Sequence, residues 1–251
     1  GELFDTELDH FSLSKELQGR RIVVSRSPQI AKYVLQSKHQ DFIKGTGLDR
    51  VRILLGQGLF SSEGDFWHRQ RRLIQGAFHP NFLGKVLTYM PKAHKRVQKI
   101  CLRENKIIDM RNVTSQIALW NILYFIFGEL IEQFDDSDGH NPFDLVHNQT
   151  NRDLNFALSL RALKKQILLM AQQARAADGE PKSFLDYLVK TCYRSTNEYI
   201  SDKALIDEVI TMIIAGHETT AATMAWVWVL LSQHDSCMQK VQAELKGAYF
   251  D

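Results

Sequence analysis

The stretch that decides the reading is Val209–Leu231, VITMIIAGHETTAATMAWVWVLL. Ser201 and Asp202 offer a helix cap before it, so the pattern predicts one long helix over about 202–232. A helix apolar on every side is either a core helix or a membrane span. The length alone permits a span. The middle, however, carries His217, Glu218, Thr219, Thr220 and Thr223. A carboxylate at the bilayer centre costs about 3 kcal/mol even on the lenient insertion scale, which argues for the core. Gly216 costs about 1 kcal/mol relative to alanine inside a helix. Polar groups in a buried stretch are expensive unless paired. Costs of this kind, concentrated in one turn, mark a functional site. His217-Glu218 does not make a zinc site, because the second histidine that would stand four residues after the first is Ala221.

Outward from that helix, the bulk properties set limits. Apolar residues make up 44% of the 251 residues and charged residues 24%, ordinary globular usage with enough chain for a real core. The formal net charge is +2, and no run of five like charges occurs, so composition gives no nucleic-acid footprint. Cys101, Cys192 and Cys237 are scattered and odd in number. They predict neither a disulfide framework nor a zinc site, and a reducing compartment fits them better. The chain opens at Gly1 without a basic-then-apolar leader or an anchor helix. Either its natural start is missing or it is soluble from the outset, and a cytoplasmic location is expected. The sequons at Asn112 and Asn148 read as chance matches.

Upstream, His10–Leu17 and Arg21–Ser25 read as a β-hairpin turning at Gly19. Ser27-Pro28 opens a short helix. Residues 37–62 are punctuated by glycine and read as a long connection holding a short helix. Helices are then expected at 66–78, stopped by His79-Pro80, at 91–103, and at 112–130, where the apolar run should be buried. Asp135–Asn141 reads as a loop, Phe143–Ala177 as helix in two pieces, Phe184–Cys192 as a short helix and Ser236–Leu245 as a last one. Nothing repeats. The fold expected is mainly α with a small β element at 1–27, a helical part over 28–251, and a single domain.

A second motif stands on the helix at 66–78. Trp67 and Arg71 are four apart and share a face. An indole N–H beside a guanidinium makes a carboxylate clamp. The bland alternative is a cation–π pair on an amphipathic surface. Ala215-Gly216-His217-Glu218-Thr219-Thr220 resembles the oxygen-activation motif of the cytochrome P450 family, and Trp67-x-x-x-Arg71, with Gly58–Gly64 before it and Arg72-Leu73 and Phe78 after it, resembles the family's propionate clamp. The two stand in the family's order, with an apolar helix set between them.

The resemblance implies the P450 fold, present incompletely, and haem (iron protoporphyrin IX) as cofactor. It implies insertion of one oxygen atom from dioxygen into a small organic substrate, with electrons from a ferredoxin or flavoprotein reductase. Trp67 and Arg71 would hold a haem propionate, and Ala215 would lie over the haem face. Gly216 would open a groove beside it, and Glu218 and Thr219 would relay protons. Arg69 and Arg72 point away from Trp67 and could steer an acidic partner. No Glu-x-x-Arg and no Phe-x-x-Gly-x-x-x-Cys occurs, so the axial cysteine is expected outside this chain and no residue here is assigned to the metal. A fragment lacking that thiolate should not run the chemistry, and a non-catalytic truncated or degenerate helical product is the alternative. The region between Phe143 and Asp178 is short for the family, which leaves the substrate lid open to question.

Overall fold

The computed structural model describes residues 12–17, 20–48, 52, 55–101, 108–133 and 154–249. The chain divides into two compact units, Gly1–Asp49 and Arg50–Asp251.

In the first unit, β1 (Ser12–Leu17) and β2 (Arg20–Ser25) pair antiparallel, Ser12 opposite Ser25 and Leu17 opposite Arg20. The expected start at His10 and turn at Gly19 lie outside the described residues. Helix α1 (Pro28–Lys32) begins as the sequence predicts. The Ser27 hydroxyl accepts the Ile30 N–H at 3.4 Å, and proline takes the position whose N–H has no helical partner. The helix then loosens into a π turn at Tyr33–Ser37, and 3-10 turns follow at His39–Asp41 and Thr46–Leu48.

The second unit is helical. Its described helices are α2 (Gly64–Gln75), α3 (Pro80–Leu87), α4 (Met90–Cys101), α5 (Met110–Phe127), α6 (Leu154–Ala176), α7 (Phe184–Lys190), α8 (Asp202–Gln233) and α9 (Asp235–Tyr249). Local chemistry fixes their starts. The Asp109 carboxylate accepts the Arg111 and Asn112 N–H groups at 2.9 and 3.3 Å, and the Ser201 hydroxyl accepts that of Ala204 at 3.3 Å.

The core forms where α5 and α8 pack along each other, the most extensive helix contact among the described residues. Leu119, Leu123 and Ile126 of α5 and Leu205, Val209 and Ile213 of α8 are all fully buried. Each such side chain contributes roughly 1.5–3 kcal/mol of transfer free energy. Ile167 of α6 and Phe184, Leu185 and Leu188 of α7 close the same cluster. One described segment, Met110–Gln133, is long and apolar enough to cross a membrane, but 61% of its apolar window is buried in the protein, as befits a core helix.

Two elements differ from the sequence reading. His79-Pro80 does stop α2, through a 3-10 turn at Gly76–Phe78, but Pro80 also starts α3, with His79 Nδ1 accepting the Asn81 N–H at 3.4 Å. A proline both ends one helix and suits the first turn of the next. Helix α7 stops at Lys190, because Cys192 forms an isolated antiparallel bridge with Tyr199. Of the helix expected from Phe143, the described part is α6; the loop at Asp135–Asn141 lies outside the described residues.

Candidate active site

The site is built on the middle of α8, and two contacts fix which way that middle faces. Gly216 lies against Ile122 of α5: a Cβ at Gly216 would stand 2.6 Å from the Ile122 terminal methyl carbon and 2.8 Å from the carbon before it. His217, 3% exposed, meets the Ser115 hydroxyl of α5 through Nε2 at 2.8 Å. Successive helical residues are turned by about 100°. With Gly216 and His217 against α5, Ala215, Glu218 and Thr219 fall on the open side, and all three are exposed. The room that glycine makes on this side is taken by Ile122, so the glycine permits a close helix–helix approach. The open surface belongs to its neighbours.

The Thr219 hydroxyl donates to the Ala215 carbonyl at 2.7 Å, and Thr223 repeats the bond to Thr219 at 2.8 Å. This is the back-bonding by which a helix accommodates threonine. It fixes the hydroxyl proton inward and leaves the oxygen's lone pairs available on the open side. Glu218 lines a cavity of about 820 Å³ between α5 and α8, together with Asp109, Arg111, Ser115, Ala222 and Trp226.

Trp67 and Arg71 meet on α2 as their spacing predicts. The Arg71 guanidinium carbon lies 5.0 Å from the centroid of the Trp67 ring, stacked over it. The contact is a cation–π pair, and the exposed Arg71 fork can present its N–H groups to an anion. His68 packs edge-on against Trp67, centroids 5.0 Å apart, and is half-buried. Trp67 and Arg71 line neither the α5–α8 cavity nor the second cavity, which lies beside α2 and the residues after α7.

What joins the two motifs is a clasp that the sequence reading passed over. The loop running into α2 lies on α8 one to three turns before the motif. The Asp207 carboxylate accepts the Gln57 N–H, and the fully buried Glu208 carboxylate accepts the Leu59 N–H, both at 2.9 Å. Gly56 turns the loop at φ +58°, where a side chain would run into the Asp207 carboxylate; a Cβ at Gly58 would run into the Thr211 hydroxyl. On α2 itself, the Tyr193 hydroxyl donates to Gln70 Oε1. Burial raises the Tyr193 pKa, the Glu208 charge raises it further, and Arg69 opposes them. A signal existed: two adjacent carboxylates inside an apolar helix, and two glycines spaced two apart in an upstream loop. Nothing in the sequence paired them across about 150 residues.

No cluster of histidine, cysteine, aspartate and glutamate suited to a metal ion occurs among the described residues. The residues present do fit a planar cofactor with carboxylate arms. Arg71 forms no ion pair among the described residues, and Ala215 and Thr219 present a small, open face with oxygen lone pairs.

The sequence model of the Cytochrome P450 family matches residues 11–157 and 141–250, and the chain belongs to that family. The two matching segments overlap within the stretch that reads as short. The chain is similar to the protein named Cytochrome P450 97B2, chloroplastic, from Glycine max: 26% identity over 289 aligned positions, covering 97% of this chain and 50% of that protein. It is 24% identical to Protein LUTEIN DEFICIENT 5, chloroplastic, from Arabidopsis thaliana, covering 92% of this chain and 44% of that one. Among solved structures, the cytochrome P450DA haem domain superposes with a TM-score of 0.74 at 21% identity, covering 95% of this chain and 55% of that one. A retinoic-acid-bound cyanobacterial CYP120A1 superposes at 0.75 and 18%, covering 96% and 56%. The fold is therefore the P450 fold, and the chain spans about half the length of the relatives it matches.

Proposed function

We propose that this chain supplies the distal helix and one propionate clamp of a haem-dependent monooxygenase. The observation that carries the reading is the orientation of α8. Gly216 and His217 are committed to α5, so Ala215, Glu218 and Thr219 are turned outward as one face. Haem, when bound, supplies the iron at which dioxygen is reduced and one of its atoms inserted into an organic substrate.

The chain's own residues have the following parts. Arg71 holds a propionate by charge-assisted hydrogen bonds, and Trp67 keeps the guanidinium in place beneath it. Ala215 gives the cofactor face a flat, apolar contact. The Thr219 oxygen accepts a hydrogen bond from a water or substrate hydroxyl, its own proton being held by the Ala215 carbonyl. Glu218, open to the α5–α8 cavity, exchanges protons with solvent at its carboxylate. Gly216 acts indirectly, by letting α8 seat closely on Ile122. The clasp of Asp207 and Glu208 on the 56–59 loop positions α2, and through it the clamp, relative to the motif.

An organic substrate and a protein electron donor complete the reaction. The lid belongs to the stretch between Phe143 and Asp178, which reads as short for the family. The iron's thiolate comes from outside these residues. Cys192 is engaged with Asn197 Oδ1 at 3.2 Å, and Cys237 is exposed on α9. The test is a reduced carbon-monoxide difference spectrum. A protein extended to the length of its relatives should give a thiolate-type Soret band, and these 251 residues alone should not. A thiolate-type band from the 251 residues overturns the ligand assignment. Absence of haem from the extended protein overturns the haem reading.

A further inference from the structure

The second cavity, of about 420 Å³, has an unusual wall. Arg69 and Arg72 reach it from α2, Arg194 from the turn after α7, and His79 from the α2–α3 junction. No aspartate or glutamate is among its described lining residues. The ion pairs formed by arginine among the described residues involve Arg52 and Arg175, not these three. The wall is also built rather than loose. Arg194 and Ser195 stand on a turn closed by the Asn197 N–H on the Tyr193 carbonyl and the Tyr193 N–H on the Glu198 carbonyl, both 2.8 Å. Asn197 holds the turn at φ +56°, and Tyr193 is tied to α2 through Gln70.

A plain explanation covers part of this. A cation in the last turn of a helix complements the helix dipole, and Arg72 is in the last turn of α2. That effect fades within one turn, so it does not account for Arg69, and Arg194 belongs to another segment. Three guanidiniums line one concave wall with no carboxylate among its described lining residues, and an anion with several charges complements all three. The volume is in the range of small-molecule sites.

We propose that this cavity is a binding site for a small phosphate-bearing anion, held by Arg69, Arg72 and Arg194 with the Ser195 hydroxyl as a further donor. It stands apart from the α5–α8 cavity and does not rest on the haem reading. Inorganic pyrophosphate is the probe, titrated into the 251-residue chain at constant ionic strength and followed by its 31P line width. Saturable broadening is expected, weakened by at least about tenfold in an Arg72→Gln/Arg194→Gln variant whose circular dichroism is unchanged. A local readout comes from Cys192, half-buried in the same wall. In a Cys101→Ser/Cys237→Ser background, pyrophosphate should slow its alkylation by neutral iodoacetamide. Broadening that is absent, or equal in the double variant, overturns the site. So does an unchanged alkylation rate. Equal competition by a glutamate hexapeptide would replace the site with a generally basic docking face.

Discussion

Both ends of α8 carry runs of large apolar residues, and the two runs are differently placed. From Leu205 to Ile213 the helix is sealed, with Leu205, Val209 and Ile213 fully buried against α5 and its neighbours. From Trp226 to Leu230 it is bare, with Trp226 65% exposed, Leu230 51%, and Val227, Trp228 and Val229 between 43% and 46%. The polar residues follow the same division. Asp207, Glu208, Thr211 and His217 are buried and engaged, whereas Glu218, Thr219 and Thr220 are open. Hydrophobicity along a helix thus states a demand for cover, and the partner helix decides where that demand is met. Gly216 and His217 mark the point at which α5 stops covering the motif's outer side. The candidate site lies at that boundary.

The largest effect that could break this comparison is a cavity in the sealed half. Ile213→Ala should cost about 2–5 kcal/mol in urea unfolding, while Leu230→Ala should change stability by no more than about 0.5 kcal/mol. Equal costs would mean that the two halves are equally packed. Next is the clasp. Glu208→Ala removes the acceptor of the Leu59 N–H and should cost about 1–3 kcal/mol, and faster amide exchange at Leu59 would locate the loss. Glu218→Ala, in the open half, should leave stability within about 0.5 kcal/mol. Gly216→Ala has two opposed parts, a gain in helix propensity of about 1 kcal/mol and an overpacking cost of about 1–3 kcal/mol against Ile122. A net loss that Ile122→Val reverses in a double-mutant cycle would place the glycine's role at the α5 contact. The smallest effect concerns the bare half alone. Trp226→Glu with Leu230→Lys should lower fluorescence of an apolar dye and reduce self-association while leaving the urea midpoint nearly unchanged.

Much of this was legible in the sequence wherever the cause was local. Ser27-Pro28 and Ser201-Asp202 act within one turn, and so do the threonines that bond back to the preceding turn. The spacing of Trp67 and Arg71 put them on one face, and the motif on α8 gave the family. The remainder depended on partners far along the chain. The reason for Gly216 is Ile122, that for His217 is Ser115, and that for Asp207 and Glu208 is a loop near residue 58. Pro80 misled because one residue can serve as both a stop and a start. Cys192 bridges to Tyr199 through backbone bonds to which side-chain periodicity is blind.

The central claim is that Arg71 on α2 and the outward face of α8 serve one cofactor. It is tested most directly by titrating haem into the chain and into the variants Arg71→Ala, Thr219→Trp and the two combined. Loss of a charge-assisted bond to a propionate predicts binding weaker by about tenfold or more for Arg71→Ala. Obstruction of the face predicts a loss of similar size for Thr219→Trp, and the combination should weaken the same single binding event more than either substitution alone. Haem affinity that either substitution leaves unchanged contradicts it.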